Sequence, residues 1–188
     1  QQDLTKAFEC FMKASKAEFP GAQFRIGRAL MRGHGVAKNK PAGVKWLLKA
    51  ANADHTDAMI VLGATLMSGD GVEVNYPLGA SWFQKAAELG NAEAMHELAT
   101  FHMEGDGVEA DPEKVKYWMF KAAGLGQEDA IEWVNQNYPD QPDWLINLKK
   151  SAKELPEGHL EETKRGDDLE SNTDNEQPNN SSAKDDSE

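Results

Sequence analysis

Residues 94–126, AMHELATFHMEGDGVEADPEKVKYWMFKAAGLG, decide the fold, because the residues that stand out in this stretch return at a fixed interval upstream. Ala94 is preceded by Ala58 and Ala22 and followed by Ala130, each step being 36 positions. The same step relates the turns Gly33-His34-Gly35-Val36, Gly69-Asp70-Gly71-Val72 and Gly105-Asp106-Gly107-Val108. Trp46, Trp82 and Trp118 keep it, as do Lys49-Ala50-Ala51, Lys85-Ala86-Ala87 and Lys121-Ala122-Ala123. A fixed period without insertions marks a solenoid, in which each unit buries its apolar face against its neighbours.

Each recurring feature has a physical role within one unit. Ala94, Leu98 and His102 fall at i, i+4 and i+8, one side of a first helix. Small residues on that side (Ala22 and Gly27, Ala58 and Gly63, Ala94 and Ala99) allow a second helix to come close, which explains glycine in a helix interior despite a cost of roughly 1 kcal/mol. The first glycine of each turn suits a left-handed helix end. Asp111-Pro112-Glu113 then reads as N-cap, first-turn proline and first-turn acid, with Asn75 and Asn39 at the same capping position in the earlier copies. The second helix carries Val115, Trp118 or Met119, and Ala122 at helical spacing, and Gly90 and Gly126 end it.

This pattern resembles the Sel-one-like repeat family, a relative of the tetratricopeptide repeat with a longer unit. The resemblance implies an all-α, right-handed α-solenoid of antiparallel helix pairs that serves as an adaptor for other proteins or peptides. It implies no chemistry and no cofactor. Some cysteine-rich bacterial relatives have been linked to β-lactam binding, but they carry paired cysteines in each unit, and this chain has Cys10 alone.

Taken in order, the chain opens on a half-unit, residues 3–19. Asp3 stands 36 before Asn39, so the first helix of that unit is expected to have been cut away. Cys10 lies in the tryptophan column and is expected to be a small buried side chain. Full units are expected at 20–55, 56–91 and 92–127, with Pro20 in the first turn of its helix. The fourth unit starts with Asp129 and Ala130 but has Gln141 and Asp143 where the turn glycines should stand, so 128–155 is expected to be a capping unit closed by a helix over about 142–155. From Ser151 onward there are 12 acidic and 4 basic residues, and 156–188 is expected to be an acidic disordered tail.

Composition narrows the function. No run of apolar residues is long enough to span a membrane, and residues 1–150 carry 16 basic and 20 acidic residues, a balance that disfavours nucleic acid. The Gly-x-Gly turns follow no strand and lack the lysine and hydroxyl of a phosphate loop. Each turn supplies at most one aspartate, too few for calcium. His96 and His102 lie six apart, on different faces of one helix, and His102 takes the place of Leu30 and Leu66, so a packed, hydrogen-bonded ring is expected. No local motif assembles a Ser/His/Asp or Cys/His set; the rival to a scaffold is a hydrolase or metal-dependent enzyme built around the histidines.

What remains is a surface. Opposite the Ala/Leu stripe the first helices carry Phe24, Arg28 and Met31, then Ile60, Ala64 and Met67, then His96, Thr100 and Met103. By the family resemblance these helices line the concave face, so the nine residues are expected to form a partner-binding groove with a methionine ending each ridge. Methionine adapts to varied partners. The same spacing also allows the methionines to pack against the neighbouring helix.

Overall fold

The computed structural model describes residues 2–15 and 19–139, all within one compact unit, Gln1–Leu155. Among the described residues there are eight helices and no strand: α1 (Gln2–Ser15), α2 (Pro20–Arg32), α3 (Lys40–Asn52), α4 (Thr56–Ser68), α5 (Tyr76–Glu88), α6 (Ala92–Glu104), α7 (Pro112–Gly124) and α8 (Glu128–Asn137). Each packs on the helix before it and the helix after it, the order of a solenoid of helix pairs. The expected closing helix over 142–155 and the acidic tail of 156–188 lie outside the described residues.

The second helices begin as the sequence implies. The side-chain oxygens of Asn39, Asn75 and Asp111 accept from the backbone N–H groups of Ala42 (3.1 Å), Leu78 (3.0 Å) and Lys114 (3.2 Å), and a proline follows within the first two helical positions. The same three residues donate their backbone N–H to the carbonyls of Leu30, Leu66 and His102, which ties the start of each second helix to the last turn of the first. A further capping column was not read from the sequence: His55, Asn91 and Gln127 cap α4, α6 and α8 through their side chains. Two of these three are residue types rarely chosen for that job.

Within a pair, the glycines set the helix approach. A Cβ added at Gly27 would lie 2.9 Å from Leu47 Cγ and 3.1 Å from the Gly43 carbonyl oxygen; one added at Gly63 would lie 2.8 Å from the Phe83 ring and 2.9 Å from the Gly79 carbonyl oxygen. The close approach expected from the first helix is therefore matched by a glycine on the second helix. In the third pair Ala99 and Val115 occupy these places, and Val115 is buried.

The two glycines of the turn inside each pair do different jobs. The first (Gly33, Gly69, Gly105) ends its helix at φ between 71° and 80°, and its N–H donates to the carbonyl four residues back. The second (Gly35, Gly71, Gly107) also has positive φ and lies against the start of the preceding second helix, at Leu4, Lys40 and Tyr76. At Gly35 and Gly107 the nearest atom is a backbone carbonyl oxygen, which leaves no room for any side chain. Beside the Gly71 contact, the Lys40 ammonium pairs with the Asp70 carboxylate, a part-exposed bridge worth at most about 1 kcal/mol. Phe83 and Phe101, ring centroids 5.0 Å apart and edge to face, carry the apolar core from one pair into the next.

The recurring Trp and Lys belong together. Lys49, Lys85 and Lys121 place their ammonium groups 5.0, 4.3 and 5.4 Å from the ring centres of Trp46, Trp82 and Trp118, one turn earlier on the same helix. Cys10 departs from the expectation of a buried side chain: it is exposed. Helix α1 packs on α2, and its half-buried side chains include Ala7, Phe8, Phe11 and Ala14, whereas Cys10 is exposed.

Two stability experiments follow from this packing. Gly107 and Gly90 both have positive φ, but a Cβ at Gly90 meets nothing within 4 Å. Gly90→Ala should cost about 1 kcal/mol of backbone strain, whereas Gly107→Ala, which drives a methyl into the backbone of Tyr76, should cost on the order of 3 kcal/mol by urea denaturation; equal losses would remove the turn contact as a determinant of the stack. Gln23 is 9% exposed and its Oε1 has no partner, while its counterparts Met59 and Met95 are apolar and buried. Gln23→Met should therefore raise the unfolding free energy by about 1–2 kcal/mol, and a drop in melting temperature would show that the amide is satisfied.

Candidate interaction surface

The first helices α2 and α4 flank an open hollow of about 410 Å³. Four of the nine residues expected on this face line it: Phe24, Arg28 and Met31 from α2, and Ile60 from α4. The spacing of helical turns explains why they meet, since 24, 28 and 31 lie along one side of α2. Phe24 is its floor. The ring is buried, stacked on His55 at 4.8 Å between centroids, with the Arg28 guanidinium 5.5 Å above its centre. His55 accepts the Ala58 N–H at Nδ1, so the residue that caps α4 also supports the floor.

The remaining five residues are not brought into this hollow. Ala64 is exposed on α4, Met67 is half-buried at its end, and His96, Thr100 and Met103 follow on α6. Thr100 turns its hydroxyl back to the His96 carbonyl, 3.2 Å away, so it spends its donor on its own helix.

The methionine column splits. Met31 and Met67 sit against the bare backbone of Gly43 and Gly79: their Cγ atoms lie 2.7 and 2.6 Å from where a Cβ would stand there. They fill the notch that each glycine leaves in the second helix. In the third pair Val115 fills that notch itself, and Met103 is left 48% exposed. The residues are equivalent by period, and the partner residue 12 positions on decides which of them faces solvent.

Several lining residues escaped the sequence reading. Arg32, Asp57, Val61, Thr65, Asp70 and Glu93 also border the hollow. Val61 and Thr65 are the i+1 neighbours of Ile60 and Ala64, and the Thr65 hydroxyl donates to the Val61 carbonyl at 2.7 Å. A wider helical stripe would have included them. Asp57, Asp70 and Glu93 come from the first turn of α4, the turn that joins α4 to α5, and the next pair but one, which no periodicity within a single helix can reveal.

His102 has a structural role, as does His55. His102 is buried, 6% exposed, with Nδ1 2.9 Å from the Glu109 carbonyl oxygen. A carbonyl only accepts, so Nδ1 carries the proton, as expected of a packed, hydrogen-bonded ring. His96 is half-buried on the opposite side of α6. Among the described residues no three His, Cys, Asp or Glu side chains are placed to hold one metal ion, and no helix is long and apolar enough to cross a membrane.

The model for the Sel1 repeat matches residues 1–19, 20–55, 56–91 and 92–127. Among solved structures, the chain is similar to a Sel1 repeat protein from Oxalobacter formigenes, at 30% identity and a TM-score of 0.68, over 80% of this chain and 64% of that one. It is also similar to c5321, a protective antigen of uropathogenic Escherichia coli strains with an SLR fold, at 27% identity and a TM-score of 0.69, over 80% of this chain and 34% of that one. The cysteine rich protein B of Helicobacter pylori shares the fold at 24% identity and a TM-score of 0.55, over 69% of this chain and 93% of that one. This chain thus spans less than two thirds of the first two proteins. No curated protein matches it significantly. With the repeat model matched through residue 127 and one helix pair formed per period, this chain belongs to the Sel1 repeat family.

Proposed function

We propose that the chain is a non-catalytic scaffold that binds a protein or peptide segment along the concave face made by its first helices. Sel1 repeats commonly act as protein-interaction scaffolds. The observation that carries the finer reading is the hollow between α2 and α4, which has an apolar floor and walls from Phe24, Met31, Ile60 and Val61 and a polar rim. Apolar ground inside a charged margin is the composition of a protein-binding patch. The face continues past Ala64 to His96, Thr100 and Met103, so a segment lying across successive first helices meets side chains from each pair. Binding would be spread over the array, with no single residue supplying the energy.

The test separates surface from core on one helix. Ala64 is exposed on α4, whereas Leu62, two residues earlier, is fully buried. Ala64→Glu should weaken a partner captured from the native source by about 1–3 kcal/mol while leaving the melting temperature unchanged. Leu62→Ala should destabilise the fold itself by about 2–5 kcal/mol. Titration of the partner against both variants, with helix melting alongside, decides the matter; full affinity of the folded Ala64→Glu protein would move the binding surface to another face.

A further inference from the structure

The first helices share one repeat role, yet their charges do not repeat. Helix α2 carries Arg25, Arg28 and Arg32 and no acid, a charge of +3. Helix α4 carries Asp57 alone, −1, and α6 carries Glu93, Glu97 and Glu104, −3 from its carboxylates. Position by position, Arg25 answers to Val61 and Glu97, and Arg32 to Ser68 and Glu104. Helix-dipole preference accounts for Asp57 and Glu93 in first turns and for Arg32 in a last turn. It does not account for Arg25 and Arg28 in mid-helix, and it runs against Glu104 at the end of α6.

Four of the five charges around the hollow have no ion-pair partner among the described residues, although Arg28 also stands over the Phe24 ring and Asp70 is paired with Lys40. Among the described residues the two ion pairs are Lys40 with Asp70 and Lys114 with Asp111. Arg28 and Arg32 on the α2 wall, and Asp57 and Glu93 from the next two first helices, therefore border one hollow without pairing. Water satisfies them while the face is open. A segment that covers the floor strips that water, and the cost is offset only if the segment brings opposite charge to each end. Guanidinium groups favour carboxylates, which they hold in a bidentate fork.

We infer that the segment bound over this hollow has segregated charges, with acidic side chains where it meets Arg28 and Arg32, apolar residues over Ile60 and Val61, and basic side chains toward Asp57 and Glu93. The inference rests on the concave-face reading and adds to it the chemistry and the direction of the ligand. An approach guided by two opposite poles also sets which way the segment lies, because a reversed charge order places like charges together at both ends.

The probe is a phage-displayed random peptide library panned against the full chain. Enriched peptides should carry Asp or Glu toward one end, Lys or Arg toward the other and apolar residues between. A synthetic peptide of the same composition with its charges alternated should bind about tenfold more weakly or worse, and the difference should shrink as salt is raised. The Arg28→Glu/Arg32→Glu protein should lose the enriched peptide by a similar factor and regain it when the acidic end of the peptide is replaced by lysines. Arg32→Glu alone, at an exposed site, repeats the swap should the double variant melt early. Enriched peptides without charge segregation, or a failed swap in a folded variant, overturn the inference. If such peptides are still weakened by Ala64→Glu, the concave-face reading stands without it; if Ala64→Glu has no effect on them, or if no peptide is enriched, both fall.

Discussion

The array depends on places where bare backbone meets bare backbone. Inside the first two pairs, Gly27 faces Gly43 and Gly63 faces Gly79, so that two helices approach with no Cβ between them. Between pairs, Gly35 and Gly107 sit on the carbonyl groups that open the preceding second helix. Dispersion falls off steeply with distance, and a gap of even half an ångström forfeits a sizeable part of each contact. The glycines thus fix both the separation within a pair and the step from one pair to the next. The remaining core, from Ile26 and Leu47 through Leu62, Trp82 and Leu98 to Met119, fills the space those contacts define.

Because the step is set by backbone, side chains elsewhere are free to differ from copy to copy. The third pair gives up both helix-crossing glycines for Ala99 and Val115 and still stacks on its neighbours. One consequence is local: with Val115 in the notch, Met103 has nowhere to pack and turns outward, unlike Met31 and Met67. Another is electrostatic. The first helices pass from strongly basic in α2 to strongly acidic in α6 on an invariant backbone plan, a polarity that packing neither requires nor forbids.

The features that repeat were legible in the residues alone. Small residues at Ala22, Ala58 and Ala94, the capping of α3, α5 and α7 by Asn39, Asn75 and Asp111, and the left-handed helix ends at Gly33, Gly69 and Gly105 are all consequences of local sterics and hydrogen bonding, which act over a few residues and so leave a mark at fixed spacing. His102 was legible for the same reason: a polar ring in a leucine column must find a hydrogen bond, and it finds the Glu109 carbonyl. The second turn glycine was seen as part of the period, but its purpose lies in another unit, against Lys40 or Tyr76, and could not be inferred from its own surroundings.

By itself, then, the sequence determined the period, the helix pairs, the caps of the second helices, the turns, and the side of each first helix that faces its own second helix. Tertiary structure decided what covers each remaining side chain. Periodicity states which residues are equivalent and is silent on their neighbours, and burial depends on the neighbours. Thus Cys10, equivalent by period to three tryptophans, is exposed, whereas Trp82 and Trp118 are buried. Met31, Met67 and Met103 part ways because glycine or valine stands opposite them. The hollow gathers Asp57, Asp70 and Glu93 beside Arg28 and Arg32 because the stacking of successive pairs brings together residues that belong to different repeats.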